Sequence, residues 1–200
     1  MFTGIVTDIG EVTAREGGRF SIACSYPAAS IALGASIACS GCCLTVTSVR
    51  PLPDGRTAFT VDVSNETLSL TTLARWQRGT RINLERSLAL GAELGGHLVT
   101  GHVDGLARIL AIRADGDSRR FTFEVPRDLA RYVARKGSVA VDGTSLTVNE
   151  VEGATFGVNL IPHTLTVTTW GAAREGDVAN FEVDLLARYV ARLRETETLS

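Results

Sequence analysis

Short runs in which apolar and polar residues alternate dominate the chain. Cys43 to Val49, Thr57 to Val63 and Arg81 to Leu84 are rich in β-branched residues and are separated by Gly, Pro or Asp, the pattern of short strands. It returns at Ser145 to Val151, Thr155 to Leu160 and Val178 to Val183, with Arg119 to Val125 after the Asp115-Gly116 turn. Three stretches read as helix instead: Arg127 to Val133 behind Pro126, Asn65 to Leu73 over a barrel mouth, and a tail N-capped by Asp184. The tail carries Leu185, Leu186, Tyr189, Val190 and Leu193 on one face, a stripe that suits its own barrel and a second subunit equally. The chain is therefore all-β, and closure into small antiparallel barrels removes the edges that such short strands would expose.

The chain also repeats itself. Thr3-Gly4-Ile5-Val6 returns as Thr100-Gly101-His102-Val103, and Gly41-Cys42-Cys43-Leu44-Thr45-Val46 returns as Gly143-Thr144-Ser145-Leu146-Thr147-Val148. Glu66 to Thr72 then matches His163 to Thr169, and Gly79, Asn83 and Glu85 match Gly176, Asn180 and Glu182. Arg50 to Gly55 is an extra turn in the first copy, as a hairpin-loop insertion would be. The boundary falls at Gly95-Gly96-His97, which divides the chain into one barrel over 1–96, a second over 97–184 and a tail helix over 185–200.

Composition narrows the function. Acids and bases are interleaved at a net charge of -2, and aromatic residues are 6%, so neither nucleic acid nor a membrane is an expected partner. No basic leader or 18-residue apolar run is present, and a cytoplasmic location is expected. Cys24, Cys39, Cys42 and Cys43 read as free thiols; Cys39-x-x-Cys42 has half the spacing of a zinc site, but no second ligand pair follows, so no metal is expected.

The blocks Met1 to Val6, Gly41 to Val46, Gly95 to Val103, Asp142 to Val148 and Asn159 to Thr164 together resemble the riboflavin synthase family, in order and spacing across nearly the whole chain. The resemblance implies two tandem Greek-key barrels per subunit and a homotrimer held partly by the C-terminal helix, with each site between the first barrel of one subunit and the second of its neighbour. It implies dismutation of two 6,7-dimethyl-8-ribityllumazine molecules to riboflavin and 5-amino-6-(D-ribitylamino)uracil by four-carbon transfer, without a cofactor. Lumazine synthase is a candidate partner.

The same resemblance implies the site residues. Gly4, Ile5, Val6, Cys43, Leu44, Thr45 and Asp62, Val63, Ser64, Asn65, Glu66, Thr67 surround one lumazine. Gly101, His102, Val103, Ser145, Leu146, Thr147 and Asn159, Leu160, Ile161, Pro162, His163, Thr164 surround the other. Backbone groups at a barrel mouth suit a uracil-like edge, and Ser and Thr hydroxyls suit a ribityl chain. The Leu and Val members serve equally well as core.

Differences between the copies separate donor from acceptor. Ile5 aligns with His102, Cys43 with Ser145 and Ser40 with Asp142, which gives the first pocket a thiol and the second an imidazole and a carboxylate. Cys43 can add to a ring carbon or position a water, and His102 can shuttle the proton lost by the 7-methyl group; a buried apolar thiol and a structural imidazole are the plainer alternatives. Ser36, Phe2, Asp142 and Ser145 complete the catalytic candidates. Lys136, the only lysine in the chain, matches the family's substrate-contacting lysine. Two rivals remain: a lumazine-binding antenna protein that catalyses nothing, and a hydrolase built on Ser145, His102 and Asp142, which lacks the G-x-S-x-G elbow.

Overall fold

The alternating runs close into two barrels of six antiparallel strands each. The computed structural model describes residues 1–197, with side chains as far as residue 195. The first barrel comprises β1 (Asp8–Glu16), β2 (Arg19–Cys24), β3 (Ser36–Cys39), β4 (Cys42–Pro51), β5 (Thr57–Asp62) and β6 (Arg81–Arg86). The second comprises β7 (Gly105–Asp115), β8 (Ser118–Glu124), β9 (Ser138–Val141), β10 (Thr144–Glu152), β11 (Thr155–Leu160) and β12 (Val178–Val183). Around the first, the strands run β1-β2-β5-β4-β3-β6, and the second repeats that circuit with β7 to β12.

Closure depends on two local features. Inward positions are apolar: Cys42, Leu44 and Val46 of β4 face the core with Phe20, Ile22, Phe59 and Val61, while Thr45 and Thr47 face out. Bulges then coil the strands, at Val12/Ala14 and Val46/Ser48 in the first barrel and at Ile109/Ala111 and Val148/Glu150 in the second.

The helical expectations hold with changes. The Asn65 to Leu73 stretch is α1 (Asn65–Leu70), capped by Ser64, then a break at Thr71 and a 3-10 turn over Thr72–Arg75. The Arg127 to Val133 helix shortens to α2 (Arg127–Ala130), because Tyr132 and Val133 turn tightly back onto Leu129 and Ala130. A helix absent from the sequence reading, α3 (Pro162–Val167), starts on Pro162 in its first turn. The tail is α4 (Leu185–Glu197), with Asp184 Oδ1 accepting from Leu186 N at 2.9 Å; residues 198–200 lie outside the described residues.

The barrels meet where two hairpin turns touch. Ser40-Gly41 and Asp142-Gly143 all have positive φ, and a Cβ on Gly41 would stand 2.8 Å from Gly143 N. Glycine is therefore required both by conformation and by the close approach. Asn83 and Asn180, almost wholly buried, tie this contact crosswise. Asn83 Nδ2 donates to the Asp142 carbonyl at 2.9 Å and its Oδ1 accepts from Thr169 N at 2.8 Å. Asn180 Nδ2 donates to the Ser40 carbonyl at 2.8 Å and its Oδ1 accepts from Thr72 N at 2.7 Å. Each buried amide is thus satisfied by the opposite barrel.

Candidate functional site

Because side chains alternate along β4, placing Leu44 in the core turns Cys43 and Thr45 outward; on β10, Leu146 does the same for Ser145 and Thr147. The candidate sites therefore lie on the outer walls of the barrels, which corrects the expectation of a barrel mouth. Leu44, Val63, Leu146 and Leu160 are core residues.

The segment that opens each copy crosses to the other barrel. Residues 1–4 run antiparallel to residues 97–101 along the seam, with Phe2 N donating to Val99 O at 2.7 Å and Val99 N to Phe2 O at 3.1 Å. Beyond this bridge, Gly101 O accepts from Cys43 N at 2.9 Å and Gly4 O accepts from Ser145 N at 2.7 Å. Both glycines have positive φ, and a Cβ on either would stand 2.6 Å from the side chain it faces, Cys43 or Ser145. The grouping expected from the repeat is thereby corrected: Gly101-His102-Val103 sits with Cys43, and Gly4-Ile5-Val6 approaches Ser145. Thiol and imidazole share one pocket.

That pocket is a cavity of about 210 Å³, in which Cys43, Glu66 and Thr67 of the first barrel meet Gly101, His102 and Val103. Cys43 is half-buried and His102 exposed, so both can meet a ligand arriving from outside. Phe2 is wholly buried against Ala38, Val99 and Ala140, with Cys43 packed on the cluster; it forms a floor and does not reach the cavity surface. Ser36 pairs with Thr45 but lines a separate recess of about 300 Å³ with Arg86 and Ser87. Asp62 is held by Arg19 at 2.8 Å, which keeps its carboxyl below the usual range, and Asn65 is exposed on α1.

At the second wall, Ser145 Oγ lies 2.7 Å from Nδ1 of His97. His97 lies outside the repeated blocks, so comparing the halves passes over it. Burial pushes its pKa down, with Asp184 opposing, and its Nε2 is buried without a hydrogen-bond partner among the described residues. A neutral imidazole here fixes the serine hydroxyl. Asn159, Ile161, Pro162 and His163 are exposed where β11 leads into α3, while Thr164 is half-buried and its carbonyl accepts from Thr168 Oγ1 at 2.6 Å. Lys136 is exposed with φ of 67°, two residues before β9, its N–H donating at 2.8 Å to the carbonyl of Val148, the residue after Thr147 in the middle of β10.

Asp142 is not beside His102. Its Oδ1 accepts from Asn180 N at 2.8 Å at the meeting of the hairpin turns, and burial pushes its pKa up to about 7. It borders a different cavity of about 430 Å³ between the barrels, with Ser40, Trp76 and Trp170. The expected carboxylate and imidazole pairing is thus corrected: position 142 lies in the turn that packs on the other barrel.

Residues 3–87 and 100–184 each match the lumazine binding domain. Riboflavin synthase of Brucella abortus (strain 2308) is 53% identical over 199 residues, covering 98% of each chain. The chain belongs to the riboflavin synthase family. Within that family, riboflavin synthase of Mycobacterium tuberculosis (strain ATCC 25618 / H37Rv) is 46% identical, over 96% of this chain and 98% of the relative, and that of Bacillus subtilis (strain 168) is 36% identical, over 96% and 89%. The fold is shared with LumP in complex with riboflavin, at a TM-score of 0.78 and 23% identity over 92% of this chain and 99% of that one.

In this riboflavin synthase family chain the repeat also aligns Glu85 with Glu182, without indicating what either does. Glu85 Oε1 accepts from Thr3 N and Thr3 Oγ1, both at 2.7 Å, and its Oε2 from Gly4 N at 2.9 Å. Glu182 receives Thr100 N, Thr100 Oγ1 and Gly101 N at 2.7, 2.7 and 2.9 Å. Burial raises the pKa of each glutamate against these hydrogen bonds.

Proposed function

We propose that the chain forms riboflavin by dismutation of two 6,7-dimethyl-8-ribityllumazine molecules, one giving up four carbons and the other accepting them, with 5-amino-6-(D-ribitylamino)uracil as second product. The observation that carries this reading is a duplicated wall site in a chain 53% identical to a riboflavin synthase over nearly its full length. Two like sites suit two copies of one substrate. Holding the rings together makes a bimolecular step effectively intramolecular, an effect worth roughly 7–11 kcal/mol of barrier.

The sites are chemically unequal, as donor and acceptor roles demand. One carries Cys43 and His102, a nucleophile and a proton carrier at an accessible surface; the other carries Ser145 with its hydroxyl held by His97. Thr45, Thr147 and Lys136 flank the walls and suit the ribityl chain. Outward-facing pockets leave one face of each bound ring open, which supports a site completed by a neighbouring subunit. The family resemblance makes that assembly a homotrimer, with barrels over 1–96 and 97–184 and the helix from 185 onward at the subunit contact. Leu186, Tyr189 and Val190 of α4 are exposed, and Arg188 clamps the helix to Asp104 at 2.7 Å, which supports a stripe turned toward a partner. Among the described residues no helix is long and apolar enough to cross a membrane. We place the enzyme in the cytoplasm, with lumazine synthase as a candidate partner.

The test is to mix the purified protein with 6,7-dimethyl-8-ribityllumazine and follow riboflavin by absorbance. Turnover is expected. Tight binding without riboflavin would select the antenna reading.

A further inference from the structure

We infer that Glu182 and Glu85 are positioning residues that act crosswise, each carboxylate holding the segment that completes the pocket on the opposite barrel. Glu182 belongs to β12 of the second barrel, yet the Thr100-Gly101 turn it holds presents its carbonyl to Cys43 of the first. Glu85 belongs to β6 of the first barrel, and the Thr3-Gly4 turn it holds presents its carbonyl to Ser145 of the second. This inference rests on reading the two walls as lumazine pockets.

The chemistry of the hold calls for a carboxylate. Each glutamate receives three donors, two backbone N–H groups and one threonine hydroxyl, and offers only acceptors in return. A protonated acid or an amide would turn a hydrogen toward one of those N–H groups. Neither glutamate takes part in any ion pair among the described residues, although both are buried. Burying a carboxylate without a cation is costly, and here it occurs twice, at equivalent places. What it achieves is register. Thr100 Oγ1, donating to Glu182, also accepts from His102 N at 3.3 Å, and Thr3 Oγ1 repeats this with Ile5 N at 3.2 Å. Carboxylate, hydroxyl and the next N–H thus fix the residue that follows each turn, which is His102, in the cavity beside Cys43, and Ile5 on the other wall.

The crosswise arrangement makes a prediction that simple destabilisation does not. In Glu182→Gln the Gly101 turn loosens from Cys43, and alkylation of Cys43 by iodoacetamide, read by peptide mass mapping, should accelerate about tenfold as local opening becomes easier. Glu85→Gln, altered in the barrel that contains Cys43, should leave that rate as in the wild type. Both variants should lose about 10- to 100-fold in kcat/KM for 6,7-dimethyl-8-ribityllumazine as their pockets lose alignment. If Glu182→Gln does not fold, Thr100→Val, which deletes only the hydroxyl relay, carries the same comparison, with a several-fold acceleration expected. Equal Cys43 reactivity in the Glu85 and Glu182 variants, or no acceleration in either Glu182→Gln or Thr100→Val, overturns the inference. A wild-type protein that makes no riboflavin would sink the functional reading and leave the alkylation comparison standing.

Discussion

His97 Nδ1 and Ser145 Oγ stand 2.7 Å apart at the wall of the second barrel; at the first, Cys43 occupies the place of Ser145 and has no such pair among the described residues. Burial pushes the imidazole pKa down, which favours the neutral form and suits it to orienting a hydroxyl. In His97→Ala that hydroxyl should rotate freely. Riboflavin formation should fall about 10- to 100-fold, the scale of a reacting group left out of position. Steady-state kinetics check this, and an unchanged kcat would assign the pair to packing alone.

Cys43 and His102 line one cavity although they come from different copies, so their effects on turnover should depend on each other. In a double-mutant cycle with Cys43→Ser and His102→Gln, the paired loss in kcat/KM should differ from the sum of the single losses by about 0.5–3 kcal/mol, as for residues sharing a site. His102→Gln with Ser145→Ala should come much closer to additivity. The opposite ranking would restore a pocket built from one copy only.

Much of the fold is legible in the chain, and the gaps have physical causes. Thr155–Leu160 and Val178–Val183 are strands as read, because each is a short run with β-branched and aromatic residues bounded by turn residues. β1 and β7 escape because bulges at Val12/Ala14 and Ile109/Ala111 break the alternation. β3 and β9 escape because the outer faces of Ala38 and Ala140 are covered by the seam, leaving four-residue runs whose only polar positions are Ser36 and Ser138. The repeat identifies which residues are equivalent but carries no information on which barrel a segment docks against. For that reason the repeat singles out Cys43, His102 and Ser145 as candidates, while the exchange of Gly4 and Gly101 between walls stays hidden in it. Asp142 misleads for a related reason: it aligns with Ser40 in a pocket motif, but the positive φ of both residues belongs to a turn that packs on the other barrel.

Asp142 gives the protein a pH-dependent seam. Its pKa is about 7 in the folded chain against an ordinary value of 3.8, so the folded state holds this proton more tightly than the unfolded chain. The resulting stabilisation is complete below about pH 4 and is lost as pH rises to 7, a change of at most about 4 kcal/mol. Asp142→Asn keeps an acceptor for Asn180 N and removes the titration. Its Tm, relative to the wild type, should be higher at pH 8 than at pH 4.5. A difference that does not vary with pH would show that the carboxyl titrates normally.

The exposed stripe of α4 separates folding from assembly. Leu186 and Val190 contribute little to either barrel core, whereas Arg188 binds Asp104, whose Oδ2 also accepts from Val183 N at 2.9 Å. Replacing Leu186 and Val190 together by Arg leaves that anchor in place and puts charge on the face proposed to meet another subunit. Charge without a partner in an apolar contact is strongly unfavourable, so the assembly should dissociate while the barrels keep their Tm within a few degrees. Sedimentation should then report a single 21.3 kDa chain, and riboflavin formation should fall with the assembled fraction, because the proposed site sets each outward-facing pocket against one from another subunit. Full turnover by such a monomer would mean that one chain can stack two substrates unaided, and the shared site would have to be abandoned.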